Sequence, residues 1–397
     1  MPQTRWSMLA LLFLARTAMG LQFQTVGSVG PILVDALAIE YITVGTLIGL
    51  YLLPGVFVAL PGGLLGERFG AKRVVVAGLV MMAAGGAIMG TSASFPALAS
   101  GRLLSGTGAV LMNVLLTKMV ADWFAGRETA TAMAILVTSW PVGIAFGLVG
   151  FVPIATLFGW PAVMVLAALV SLACLLAIVG LYRDPPDIAV PARPRFEIKL
   201  SSREWFLVSV AGLVWATYNV GYILLVSFLP GHLVKYGFDL SGANALVSWL
   251  GWSLIALVPV GGFLADRLGR PDLIMASGFV IAGLAAVVLA SGASPAISIF
   301  VIVALTVGLP AGPIMTLPAA ATGQQNRATG MGIYFTWYYA LMAGFPALAG
   351  FARDVTSNSG TPILFAGMMM TAALVGLAAF RLLTHSWAAR VSEVRRQ

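Results

Sequence analysis

The chain has 397 residues, of which 60% are hydrophobic and only 9% charged, with a formal net charge of +8. A soluble fold covers its surface with about 25% charged residues, so this composition excludes a soluble globular protein and indicates a polytopic membrane protein. One cysteine, Cys174, and two histidines, His232 and His385, argue against an intrachain disulfide, a metal cluster or a His-based catalytic centre, and no cofactor is expected.

Apolar runs bounded by Gly, Pro and charge predict twelve membrane helices near 7–30, 42–65, 74–92, 96–118, 129–152, 160–182, 205–230, 242–264, 273–291, 295–318, 329–350 and 361–383. The first is too long for a signal peptide and lacks a clear cleavage site, so it is expected in the mature protein. Arg16 is its one charge. It lies roughly 14 Å into the helix, near the middle of a roughly 30 Å hydrocarbon core. A cation there costs roughly 2.5–3.5 kcal/mol on insertion scales, which is tolerable beside a partner or a wet cavity. All fourteen acidic residues fall in loops or at span ends. A bound anion therefore becomes the expected partner of Arg16, whose planar fork suits a carboxylate or similar oxyanion. Gln24 shares the Arg16 face at i+8 and is expected to orient that anion.

Further along, Gly63, Glu67, Arg68, Gly70 and Arg73 form a loop after the second span, GLLGERFGAKR. The fourth span carries Arg102 and Asn113, and the fifth Trp140. A Pro- and charge-rich stretch, 183–204, reads as a cytoplasmic linker between two six-helix units, 1–182 and 205–397. The seventh span holds Tyr218, Asn219 and Tyr222, with the two tyrosines one turn apart and expected to face the cavity opposite Arg16. The eleventh holds Tyr334, Trp337, Tyr338 and Tyr339, of which Tyr338 is the expected cavity residue.

The two halves echo each other. Gly262, Asp266, Arg267 and Gly269 repeat Gly63, Glu67, Arg68 and Gly70 at an offset of 199 residues. Arg127 and Arg327 recur at 200, and Pro31 and Pro230 at 199. These echoes indicate parallel repeats related by an axis along the membrane normal. The acidic groups of the repeated loop can accept from backbone N–H groups at a helix start or pair with nearby arginines, and so form a latch between states. With alternate loops assigned to alternate sides, 18 of the 22 Lys and Arg fall on one side. Both termini are therefore expected in the cytoplasm, and the positive charge reports topology rather than nucleic-acid binding.

On these residues the chain resembles the major facilitator superfamily: GLLGERFGAKR is similar to its loop between helices 2 and 3, and Arg102 to Gly108 resembles its R-x-x-x-G-x-G motif. Glu67 stands where the family usually has Asp, and Ala71 where it has a basic residue. The resemblance implies an all-α membrane protein of two six-helix bundles with pseudo-two-fold symmetry, working as a rocker-switch secondary transporter in the plasma (inner) membrane. Arg16 followed by V-G-x-V-G-P at 26–31 resembles the cyanate and nitrate/nitrite transporter-like branch. The paired arginines of nitrate porters in helices 2 and 8 are absent, so a small organic or inorganic anion is expected, carried by a monomer in the lipid bilayer. The alternative is multidrug or metabolite efflux, since Pro141-Val-Gly143 partly resembles the antiporter motif. A membrane sensor or enzyme on the same scaffold is the remote alternative; no P-loop or catalytic constellation supports it.

Overall fold

The computed structural model describes residues 2–125, 128–185, 200–291, 307–323 and 326–394. Among these residues the backbone is helical with no strand, as a bilayer demands when every N–H and C=O must be satisfied within its own segment. The helices are α1 (Pro2–Gly27), α2 (Gly30–Leu37), α3 (Tyr41–Leu50), α4 (Gly55–Phe69), α5 (Ala71–Thr91), α6 (Phe95–Trp123), α7 (Thr129–Phe158), α8 (Trp160–Leu181), α9 (Ser202–Leu233), α10 (Leu240–Leu268), α11 (Pro271–Ala290), α12 (Ala311–Ile314), α13 (Leu317–Ala321), α14 (Arg327–Thr356) and α15 (Thr361–Val394).

Ten spans among the described residues are long and apolar enough to cross a membrane. The second crossing is broken rather than continuous: a turn over 51–54 separates α3 from α4. Pro54 lacks an N–H and crowds the carbonyl four residues back, which ends the α3 ladder. The expected tenth span, 295–318, lies mostly outside the described residues; its described end runs into the short helices α12 and α13, with Pro310 just before the first, Pro313 within it and Pro318 in the first turn of the second. α14, at 30 residues, is long enough to cross but carries the polar aromatic cluster of the eleventh predicted span. The linker expected over 183–204 falls largely outside the described residues. At its far end a capping box on Ser201 and Glu204 opens α9. Glu204 also accepts from Gly323 N and Asn326 Nδ2 at 3.0 and 3.1 Å, which ties the start of α9 to the loop before α14.

Each repeat packs its own helices: α1 on α7, α5 on α6 and α8 in the first; α9 on α14 and α15, α11 on α15 in the second. The repeats meet where α3 lies along α14, α7 along α10, and α4 and α1 touch α14 and α9. The α3–α14 seam is close because it is lined with glycine. A methyl built on Gly49 would sit 1.9 Å from Ala343 O, and one on Gly45 2.1 Å from Pro346 O. At the end of this seam Asp354 closes the N-terminus of α3: its carboxylate accepts Tyr41 N at 3.0 Å and Ile42 N at 2.7 Å. The neighbouring Arg353 guanidinium lies 3.4 Å from the centre of the Tyr41 ring.

These joints lie from mid-depth to the face opposite the N-terminus of α1. At the terminal face the ion pairs among the described residues, Arg5–Glu128, Lys118–Asp122 and Arg381–Asp272, each stay within one repeat. Among the described residues the repeats are thus sealed together at one face and joined by no ion pair at the other.

Gly49→Ala is expected to force α3 away from α14 and destabilise the sealed arrangement by roughly 1–3 kcal/mol. Gly150→Ala, at a position with nothing within 4 Å, serves as the control. Thermal melting of both variants in detergent checks this: the first falls and the second does not.

Candidate functional site

The site grows from the middle of α1. Arg16 projects toward α6 and α7, where Nε donates to Asn113 Oδ1 at 3.1 Å and Nη1 to Leu136 O at 2.8 Å. Among the described residues no carboxylate pairs with it. Its partners are neutral, so its charge is oriented without being cancelled. Asn113 in turn donates from Nδ2 to Tyr339 Oη at 3.4 Å, reaching α14 of the second repeat.

Beyond Tyr339 stands an aromatic wall. Tyr338 meets the Tyr339 ring at 4.9 Å between centroids, and Trp215 lies 6.2 Å from both Tyr338 and Tyr334, stacked on the latter. Arg16, Asn113, Trp140, Trp215, Asn219 and Tyr338 are all half-buried. They are the candidate polar and aromatic lining between the repeats. Trp140 is held by Phe23 at 5.6 Å, which also meets Tyr51 at 5.6 Å.

The sequence-derived candidates sort unevenly onto this lining. Among the described residues neither Tyr218 nor Tyr222 bonds to Arg16. Tyr218 is buried and donates to Val307 O at 2.7 Å; Tyr222 is enclosed, with a hydroxyl that has no partner among the described residues. Trp215 and Asn219, one turn apart on a face rotated by about 60°, take the half-exposed positions instead. Asn219 anchors on its own helix through Trp215 O at 2.8 Å. Gln24 lies two turns beyond Arg16, fully buried, and donates to Val226 O of α9 at 3.2 Å, so it belongs to the seam rather than to the guanidinium. Tyr339 and the Leu136 carbonyl complete the Arg16 shell. The run of tyrosines signals the first only as part of a cluster, and no side-chain pattern signals a backbone carbonyl.

Arg102 is enclosed at 0% exposure. It donates to Leu47 O at 2.8 Å, Gln22 O at 3.0 Å and Phe23 O at 3.2 Å, with its guanidinium 4.6 Å from the centre of the Tyr51 ring. This is a clamp joining α1, α3 and α6, well satisfied by carbonyls.

At the terminal face Gly70, φ 89°, and Gly269, φ 60°, make the equivalent turns after α4 and α10 in a region that favours glycine. Glu67, Arg68, Arg73, Asp266 and Arg267 are exposed, and among the described residues neither acid has an ion-pair partner. Gly262 of α10 lies beside Gly312, where a methyl would come within 3.4 Å of Gly262 N. A cavity of about 590 Å³ separates the first loop from α6 and α8, lined by Glu67, Lys72, Arg73, Lys118 and Tyr182. Burial there raises the Tyr182 hydroxyl above its ordinary value, against the hydrogen bond from Trp123. Arg127 and the side chain of Arg327 lie outside the described residues, and Gly63 falls within α4 rather than after it.

The family model of the Major Facilitator Superfamily matches residues 12–346. The chain is 27% identical to the 3-(3-hydroxy-phenyl)propionate transporter of Escherichia coli (strain K12), over 95% of this chain and 93% of the relative. It is 23% identical to the hexuronate transporter of Bacillus subtilis (strain 168), over 91% and 92%. Its backbone follows that of a bacterial homologue of the human lysosomal transporter Spinster in an inward-facing and occupied conformation, with a TM-score of 0.76 at 16% identity, over 96% of this chain and 97% of that one.

Arg102→Ala is expected to orphan three buried carbonyls and lower stability by roughly 3–5 kcal/mol, the cost of removing one partner from a buried charged network. Arg102→Lys, which lacks the planar fork, should not restore it. Size-exclusion profiles and melting curves of the detergent-purified variants check this.

Proposed function

The chain belongs to the Major Facilitator Superfamily, and from that premise we propose that it carries a small organic carboxylate with a flat apolar body across the plasma (inner) membrane. The observation that carries this reading is the half-buried Arg16, held by an amide and a carbonyl and paired with no carboxylate among the described residues, beside a wall of Trp215, Tyr338 and Tyr334. A carboxylate on the Nη edge of Arg16 makes charge-assisted hydrogen bonds and cancels the isolated charge. An aromatic or planar body then lies on the wall, where ring contacts are worth roughly 0.5–1.5 kcal/mol beyond area burial. Both relatives named above are, by name, transporters of compounds that carry a carboxylate, which supports the anionic sign. An efflux reading for neutral or cationic compounds leaves Arg16 without a counter-charge.

Turnover follows from the seam. With the termini cytoplasmic, the sealed face is the outer one and the passenger enters or leaves from inside. Interchange opens the glycine seam of α3 and α14 and brings together the ends of α4 and α10 that carry Glu67 and Asp266, whose exposed acids then find arginine or helix-start partners. One chain contains the whole pathway, so the working unit is the monomer.

Arg16→Ala is expected to keep its fold and to lose about a hundredfold in affinity for 3-phenylpropionate, the roughly 2.7 kcal/mol of a charge-assisted pair. Arg16→Lys should recover only a small part, because a point charge does not reproduce the fork. Uptake into proteoliposomes and equilibrium binding check both, and wild-type uptake by the Ala variant rules Arg16 out. Asp266→Asn should slow transport with little change in binding; unchanged turnover would leave that loop only architectural.

A further inference from the structure

The hydrogen bonds around Arg16 run in one direction. Arg16 Nε donates to Asn113 Oδ1 at 3.1 Å, and Asn113 Nδ2 donates to Tyr339 Oη at 3.4 Å. An arginine has donors only, so the amide oxygen faces it and the amide nitrogen is left for the phenol. Tyr339 therefore accepts from Asn113 and keeps its own O–H for another acceptor. Its ring is fixed in place: a methyl built on Gly55 of α4 would lie 2.2 Å from it. Asn113 belongs to α6 and Tyr339 to α14, so the chain of bonds crosses between the repeats at mid-depth, further from the sealed face than the Gln24, Asn244 and Asp354 joints.

We propose that Asn113 sets the sign of charge that the site accepts, and that Tyr339 is the positioning residue that holds Asn113 to this task across the seam. The inference rests on the carboxylate reading above and deepens it. Asn and Asp have nearly the same shape and differ in charge. With the amide, Arg16 is oriented and remains +1. With a carboxylate at the same atoms, the guanidinium is paired along its Nε edge in a low-dielectric setting, and an incoming anion meets a site already neutral. A passenger ammonium then gains relative to a carboxylate. Tyr339 contributes a second donor: its O–H and the Arg16 Nη N–H groups not given to Leu136 O are left to a bound carboxylate, one from each repeat. Occupancy of the site is thereby linked to how the repeats sit against each other.

The test is equilibrium binding to the full-length protein in nanodiscs, with 3-phenylpropionate, its neutral amide and 3-phenylpropylammonium as probes. Wild type is expected to prefer the carboxylate to the amide by about tenfold or more. Asn113→Asp should weaken the carboxylate by about a hundredfold and favour the ammonium. Asn113→Ala should bind more weakly yet keep the preference for the carboxylate, because Arg16 stays unpaired. Tyr339→Phe should weaken the carboxylate by roughly five- to tenfold, about one hydrogen bond, and leave the amide unchanged. An Asn113→Asp protein that still prefers the carboxylate, where Arg16→Ala has lost that preference, overturns the role of Asn113 alone. If Arg16→Ala keeps the preference, or wild type ignores the carboxylate, the carboxylate reading itself fails and takes this inference with it. Should Asn113→Asp not fold, Tyr339→Phe decides: unchanged carboxylate affinity overturns the proposal.

Discussion

A guanidinium held at mid-membrane by neutral partners is the constraint around which the central lining is arranged. In water the Arg16 charge would cost nothing; at this depth it needs either a counter-charge or a polar surround. The surround is an asparagine from α6 and a carbonyl from α7, with a tyrosine of the opposite repeat behind the asparagine. Each supplies an oxygen or a dipole and none supplies a negative charge. The same residue type elsewhere shows the other solution. Arg102, fully enclosed, spends its donors on three carbonyls and its flat face on Tyr51, and becomes part of the frame. What separates the two arginines is access. One is half-buried beside an aromatic lining and the other is closed off inside its repeat.

The seam between repeats is built from interactions that are easy to break. Glycine at 45 and 49 lets backbones approach closely, so the contact is dispersion over a small area with little interlocking of side chains. Asp354 caps α3 from the other repeat through two backbone N–H groups, and Gln24 and Asn244 each offer one amide to a carbonyl. Such neutral and cap-type bonds are worth about 0.5–2 kcal/mol each. A membrane interior would make a buried ion pair far harder to open, and among the described residues the seam contains none between side chains. That composition suits a protein whose repeats must part and rejoin. It also suits a passenger that supplies the missing charge and leaves the occupied site neutral.

Two expectations from the sequence were redirected by packing. Tyr218 and Tyr222 have the right spacing for a shared face, but α9 is surrounded on nearly all sides, and its narrow half-exposed stripe passes through Trp215 and Asn219 instead. Helical periodicity identifies which residues travel together; it does not say which stripe meets the central space when every stripe is apolar. Gln24 lies on the Arg16 side of α1, yet the helix continues past mid-depth to the sealed face before reaching it. The V-G-x-V-G-P run at 26–31 has a local role: it ends α1 and starts α2, with Gly27 crowded by Gln24 and Ser227 and Pro31 in the first turn of α2. A motif of that kind reports chain geometry and carries little about the passenger.

The sequence by itself determined the class and the frame of this protein. Sixty per cent hydrophobic residues, helix-length apolar runs and a loop repeated at 199 residues admit few arrangements other than paired helical bundles, because a bilayer leaves the backbone no other way to satisfy its hydrogen bonds. It also singled out Arg16, since an isolated charge at mid-span is conspicuous in one dimension. The tertiary structure decided what that charge touches. Asn113 lies 97 residues from Arg16 and Tyr339 a further 226, and the Leu136 carbonyl has no side-chain signature. The shape of the site depends on how helices from both repeats rotate against one another, and that rotation is set by close packing at glycines whose partners are distant in sequence.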